Sequence, residues 1–251
     1  MEPWSPEWKQ ARLDELYALW NVCEDCELSQ TRKKVVFGEG NPDADILFIC
    51  EKPGEEEDKS GRPFQGRAGA MFDIVLDAVE LDRDDIYITN VVACRPPENR
   101  DPARLEKQAC MPRVHEIIYL VDPLIIVPMG KPALQAMARG RAWGIETTHG
   151  KLFSTPAPEF RVTGEPTGLD IEGRVFPRTG DNKLKHTLSY DLIPVFDPSY
   201  LLRSDSLDEK TGEYQPGGPT YNTVHDLVKV TERIEQLKAA HAATQRMLQR
   251  R

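Results

Sequence analysis

A chain of 251 residues with 39% hydrophobic and 29% charged residues lies in the ordinary globular range and can bury a sizeable core as one domain. No apolar run reaches the roughly 18 to 20 residues needed to cross a bilayer, which excludes a helical span in this sequence. Thirty-two basic against forty-one acidic residues leave a net charge of −9, so the molecule as a whole repels a polyanion and any nucleic-acid contact must be local.

The chain opens with MEPWSPEWKQARLDELYALW, polar and acidic where an export signal would be basic and then apolar, so the expectation is a cytoplasmic protein, taken as a monomer. Cys23 and Cys26 follow, then the basic triplet at 32–34. The run DILFIC at 45–50 reads as a buried strand, and after it comes CEKPGEEEDKSGRPFQGRAG, a loop with five carboxylates within eight residues and then glycines. Of these acids Glu55, Glu56 and Asp58 read as a solvated face. A helix is predicted from Ala68, a second strand over 85–92, and a helix from Pro102. A third strand is predicted over 123–128 and a helix from Lys131, with Pro102 and Pro132 suited to first-turn positions. RGR at 139–141 is a further basic patch. A Gly-, Pro- and charge-rich segment at about 149–189 reads as a surface insertion, with a small hairpin expected around Val162, Val175 and Phe176. The fourth strand is predicted over 192–196, a second insertion over 204–221, and an amphipathic helix from Tyr221.

Strands alternating with helices predict an α/β fold of three layers, α/β/α, with a central four-stranded parallel sheet, here as a single domain over 1–251. Ligands of such sheets bind beyond the carboxyl ends of the strands. The loop after Cys50, TNVVACRPPENR and FDPSYLLR all lie at such ends, so three loops are expected to converge on one crevice.

The cysteines carry separate chemistry. Cys23 and Cys26 form a C-x2-C pair, Cys94 and Cys110 lie farther along, and Cys50 is left within a strand. In a cytosolic setting such a pair reads as metal ligation or redox chemistry before it reads as a disulfide. Four thiolates suit zinc or an iron-sulfur cluster, and spacing does not separate the two.

CEDCELSQTR, EKPGEEEDKSGRPFQGRAG, TNVVACRPPENRDP, EKQACMPR and DPSYLLR, in this order over residues 20 to 203, resemble the iron-sulfur (family four) uracil-DNA glycosylases. The resemblance implies the glycosylase fold, uracil-containing DNA as partner, and a structural [4Fe-4S] cluster on Cys23, Cys26, Cys94 and Cys110. It also assigns roles in the crevice. A glycosylase flips its base from the stack and holds it between apolar surfaces. Phe64 is suited to stacking on that base, and the Asn90 side chain to pairing with a uracil edge that offers both donor and acceptor. Glu51 would position or activate water. Glu57 matches a position beside the base's C5 edge, where it would exclude thymine's methyl. Arg67, with backbone amides near Gly66, and Ser199 and Arg203 are expected on phosphates.

Two departures stand out. The family's opening Gly-Glu-Ala-Pro-Gly is here Cys50, Glu51, Lys52, Pro53, Gly54, and the histidine before its Pro-Ser is here Asp197. That histidine is understood to donate to the base's O2 as negative charge develops, whereas an ionised aspartate only accepts and repels. Loss of one such donor typically costs about 100- to 1,000-fold in rate. Three readings of Asp197 follow: a turn cap, a carboxyl paired with Lys52 or Arg203 or kept protonated by burial, or a pocket turned to another base or reaction. His149 and His186 are candidate replacement donors. The leading function is excision of uracil or a modified pyrimidine from DNA. The alternatives are a non-excising protein that binds a flipped pyrimidine, and an enzyme that modifies it.

Overall fold

Short runs of Ile, Val, Leu and Phe build the inner strands of one sheet, and the computed structural model describes residues 2, 4–138, 143–156, 189–204, 211 and 214–248. Arg139, Arg141, Val162, Val175, Phe176 and His186 lie outside the described residues. In chain order the elements are α1 (Pro6–Asn21), β1 (Glu39–Gly40), β2 (Ile46–Cys50), α2 (Glu55–Ser60), α3 (Arg67–Asp77), β3 (Ile86–Asn90) and α4 (Arg104–Val121). They continue with β4 (Ile125–Pro128), α5 (Gly130–Met137), α6 (Ile145–Thr148), β5 (Phe153–Pro156), β6 (Ser189–Leu192), α7 (Pro198–Ser204) and α8 (Pro219–Leu248). None of the described helices is long and apolar enough to cross a membrane.

Among the described residues the sheet has six strands in the order β1-β3-β2-β4-β6-β5. The four inner strands are parallel, as the sequence predicts, and every residue of β2, β3 and β4 is buried because helices cover both faces. The two edges are a correction. β1 adds antiparallel to β3, and β5 adds antiparallel to β6, so the described ends of the 149–189 segment extend the sheet instead of leaving it as a surface insertion. The fourth inner strand also ends sooner than predicted, at Leu192, although Ile193 N and Val195 N still donate to Ile126 O and Pro128 O, both at 3.1 Å. Pro194 lies between them with no N–H to give on its own side, while the bonds to β4 continue through Val195, whose carbonyl accepts from Gly130 N at 2.8 Å.

The helices hold this sheet from both sides. α1 packs with α4, while α3 packs with α7 and α8. α3 and α5 begin within a residue of the predicted starts, with Pro132 in the first turn of α5. Pro102, in contrast, precedes α4, whose first turn is closed by Glu106 Oε2 accepting from Ala103 N at 2.6 Å. α8 starts two residues earlier than predicted, at Pro219.

Phe72 on α3 links core to loop. Its ring meets Phe48 of β2 edge-on at 5.1 Å and carries Phe64 flat against it at 4.4 Å. Phe72→Ala removes a fully buried ring under both, so urea unfolding is expected to show a loss of about 3–5 kcal/mol, and a loss below about 1 kcal/mol would contradict this packing.

Candidate active site and thiol centre

The loops after β2, β3, β4 and β6 enclose a cleft of about 600 Å³ at the carboxyl ends of the parallel strands, and Glu51, Lys52, Asn99, Lys131, Asp197 and Arg203 are among the residues that line it, so the three expected loops do converge. Glu51 is the first residue past β2, with only 14% of its side chain exposed. Its Oε1 stands 3.2 Å from Lys107 Nζ on α4 and its Oε2 3.7 Å from Lys52 Nζ. The first of these is a charge contact without hydrogen-bond geometry, since Oε1 makes no hydrogen bond. The two lysines thus flank the carboxylate, one at each oxygen.

Asp197 has two roles in one place. Its Oδ1 accepts from Ser199 N at 2.8 Å, and its carbonyl accepts from Tyr200 N at 2.8 Å and Leu201 N at 3.1 Å, so it caps α7 as the first of the three sequence readings has it. It also faces the cleft. Burial pushes its carboxyl above the ordinary aspartate range, opposed by the Ser199 amide and the charge of Arg203. Lys52 is held instead by Asp101, at 3.1 Å, and by Glu51. Gly130 approaches Asp197 from β4 with φ +78°, where a Cβ would stand 3.0 Å from the Asp197 Cβ.

Asn90 and Phe64 are not among the residues lining this cleft. Asn90 ends β3 opposite Cys50, and beyond it Val91 N and Val92 N donate to Cys50 O and Glu51 O, which sets the two strand ends side by side. Its carbonyl accepts from Arg113, and among the described residues its side-chain amide has no hydrogen-bond partner. Phe64 lies in the left-handed region at φ +53°, a strained setting for a bulky residue. Arg83 Nη2 donates to its carbonyl at 2.9 Å, and Gly69 passes so close beneath that a Cβ there would lie 2.0 Å from that oxygen.

The acid-rich loop divides in a way its composition does not reveal. Glu57 accepts from Gly54 N at 3.0 Å, Gln65 N at 2.9 Å and Gly66 N at 3.1 Å, so its carboxylate pins the two ends of the loop together, where the sequence reading sets it beside the base. Asp58 corrects the solvated-face expectation: it is 2% exposed and accepts from Lys33 N at 2.9 Å. Glu55 and Glu56 do face solvent and pair with Lys59. Arg67 is exposed at the start of α3, and Arg203 is exposed near the end of α7. His149 does not line the cleft but packs behind Phe196, which does. Its Nδ1 meets Asp226 Oδ2 at 2.6 Å while its ring packs on Phe196 at 4.6 Å.

On the other side of β3 the thiols of Cys23, Cys26, Cys94 and Cys110 line one small cavity together with Trp20 and Arg32. The first pair follows α1, Cys94 follows β3, and Cys110 lies within α4. All are free thiols. Burial pushes those of Cys23 and Cys26 up, and that of Cys94 up to about 11. Two sulfurs receive N–H donors: Ala93 N lies 3.3 Å from Cys110 Sγ and Arg32 Nη1 3.6 Å from Cys94 Sγ. Among the described residues no three His, Cys, Asp or Glu side chains are arranged to hold a single metal ion. Cys50 stays apart in β2, its Sγ 3.3 Å from Met129 Sδ.

Sequence reasoning missed three cations at these sites: Lys107 on Glu51, Arg32 on Cys94, and Arg113 on Asn90. Helical spacing carried the only signal for two of them, since Lys107 and Arg113 flank Cys110 by one turn on either side.

Residues 37–215 match the family model described as the uracil DNA glycosylase superfamily. The chain is 39% identical over 184 residues to a type-4 uracil-DNA glycosylase of Thermotoga maritima, covering 73% of this chain and 80% of that protein. It is 48% identical over 110 residues to a type-4 uracil-DNA glycosylase of Sulfurisphaera tokodaii, covering 43% and 50% of the two chains. A type-5 uracil-DNA glycosylase of Thermus thermophilus is 32% identical over 115 residues, covering 40% and 52%.

The raised Asp197 carboxyl has a thermodynamic consequence. A carboxyl that binds its proton more tightly when folded stabilises the fold below its unfolded value of 3.8, and that contribution is lost as pH rises through the higher folded value. Urea unfolding over a pH series is therefore expected to show the stability of the native chain relative to Asp197→Asn declining as pH rises through this window. A difference that is flat, or that grows with pH, would count against the burial of this group.

Proposed function

The chain belongs to the uracil-DNA glycosylase superfamily, among its type-4 members, and on that basis we propose that it hydrolyses the N-glycosidic bond of uracil or a modified pyrimidine in DNA. The observation that carries this reading is the meeting of Glu51, Asp197 and the Asn90 end of β3 at the carboxyl edge of one parallel sheet. To stack on Phe64 and pair with the side-chain amide of Asn90, a flipped base reaches past the residues that line the cleft to the neighbouring end of β3. Glu51, flanked by Lys52 and Lys107, orients a water toward the sugar C1′. The C1′–N1 bond breaks with its electron pair leaving on the base, the water oxygen joins C1′, and the water's proton ends on the base. Arg67, Ser199 and Arg203 hold the flanking phosphates, so a net-acidic protein grips DNA through a few exposed cations and helix-start amides. Glu57 acts one step removed, fixing the loop that carries Phe64.

Asp197 sets the rate. Its charge faces the edge of the base where negative charge develops, so ionised it opposes departure, and protonated it donates. Its partial burial, which favours the neutral form, supports continued excision. It equally suits a second reading, in which the cleft binds a flipped pyrimidine without releasing it. A single-turnover assay on oligonucleotides bearing one uracil separates the two. Excision is expected from the native chain, at least 100-fold slower in Asn90→Ala, and several-fold faster in Asp197→Asn and Asp197→His at neutral pH. Binding without abasic sites in all four proteins would favour the non-excising reading.

The four thiols are read as the ligands of a [4Fe-4S] cluster. What supports this is the donor set, four free cysteines around one cavity with N–H donors on two sulfurs, while among the described residues no three of them are arranged to hold an ion. The cluster's contribution is structural, tying the segment after α1, the segment after β3 and α4 together. The purified protein is expected to be brown, with iron and inorganic sulfide and no zinc, and Cys110→Ser to lose the colour. A colourless protein with zinc would overturn this ligand assignment.

A further inference from the structure

α4 carries Cys110 and, three residues or about one turn later, Arg113, whose side chain is fully buried. No carboxylate lies within ion-pair distance of this guanidinium among the described residues. Its partners are neutral oxygens. Nη1 donates to Phe37 O at 2.7 Å and to Thr89 Oγ1 at 2.8 Å, Nη2 donates to Asn90 O, and Nε makes no hydrogen bond. Thr89 Oγ1 in turn donates to Phe37 O at 2.7 Å, and the Phe37 ring lies 5.8 Å from the guanidinium. A buried cation whose hydrogen-bond acceptors are all neutral, with the Glu116 carboxyl acting on it only through space, is costly, so those acceptors are held firmly in place around it.

One turn earlier the same helix grips the same segment again, where Cys110 Sγ accepts from Ala93 N at 3.3 Å. The backbone from Asn90 to Ala93 is thus fastened to α4 at both ends. We infer that Arg113 is a positioning residue for base reading: it fixes the peptide plane of Asn90, and with it the side-chain amide, and ties that strand end to the helix of the thiol centre. Asn90 has no other described side-chain bond to orient it, so its reading geometry depends on how its backbone is held. This rests on the proposed role of Asn90 as the residue that pairs with the base.

The test compares Arg113→Met, which keeps the stem and removes the donors, with Thr89→Val, which removes one acceptor and leaves the arginine. The probes are oligonucleotides bearing 2′-fluoro-deoxyuridine, which resists cleavage, or the matching thymine nucleotide. The uracil-over-thymine binding preference is expected to fall at least ten-fold in Arg113→Met and several-fold in Thr89→Val, with affinity for undamaged DNA and the visible absorbance of the thiol centre unchanged. In an Asn90→Ala background Arg113→Met should have no further effect on that preference. A merely structural role predicts a lower melting midpoint with the preference intact, and that result would overturn the inference. If Arg113→Met does not fold, Thr89→Val alone decides by the same criterion. A native chain that prefers uracil but releases none would sink the excision reading while the preference still tests Arg113. A native chain without preference would overturn both.

Discussion

Parallel pairing of β2 with β3 and β4, in register from Ile46 onward, brings Cys50, Asn90 and Pro128 to one edge of the sheet, and the rest of the molecule follows from that alignment. Parallel ladders require crossover helices, and those helices bury both faces of the inner strands, so chemistry is confined to the strand ends. Beyond these ends the backbone keeps bonding briefly. Val91 and Val92 donate to Cys50 and Glu51, which carries the alignment one residue past the strands and into the cleft.

The cleft is governed by how its acids are neutralised. Glu51 is held by two lysines, Glu57 is satisfied by three backbone amides, and Asp197 combines a helix cap with burial. Three carboxylates of similar intrinsic acidity thereby sit in three settings: between two lysines, clamped by the amides of a loop, and buried at the start of a helix. The environment decides, because opposite charge and amide donors favour the ionised form while desolvation opposes it.

α4 joins the two halves of the site. Lys107, Cys110 and Arg113 stand at successive turns and reach, respectively, Glu51, the thiol cavity and the Asn90 carbonyl. A helix is stiff over that length, so the thiol cavity and the carboxyl edge of the sheet share one support.

Much was legible in the chain itself. Runs such as ILFIC and IIVP declare buried strands because only a strand covered on both faces tolerates such continuous apolarity, and the ordered motifs identify four cysteines and the residues of three strand-end loops. The edge strands were not legible. β1 is two residues long, and β5 pairs with a β6 interrupted beside a proline, so neither shows the period on which a sequence reading relies. Nor could composition tell Glu57 and Asp58, both buried, from Glu55 and Glu56 in solvent, since neighbouring acids on one short helix differ only in which face meets the protein. Arg113 is the sharpest case: on the sequence it is one arginine among many, and its role exists only because β3 and α4 pack together. The sequence by itself determined the parallel core, the family and the reactive residue types, which rest on local pattern. Tertiary structure alone decided which charges meet, which amide is left free and what holds it, because those depend on contacts between residues far apart in the chain.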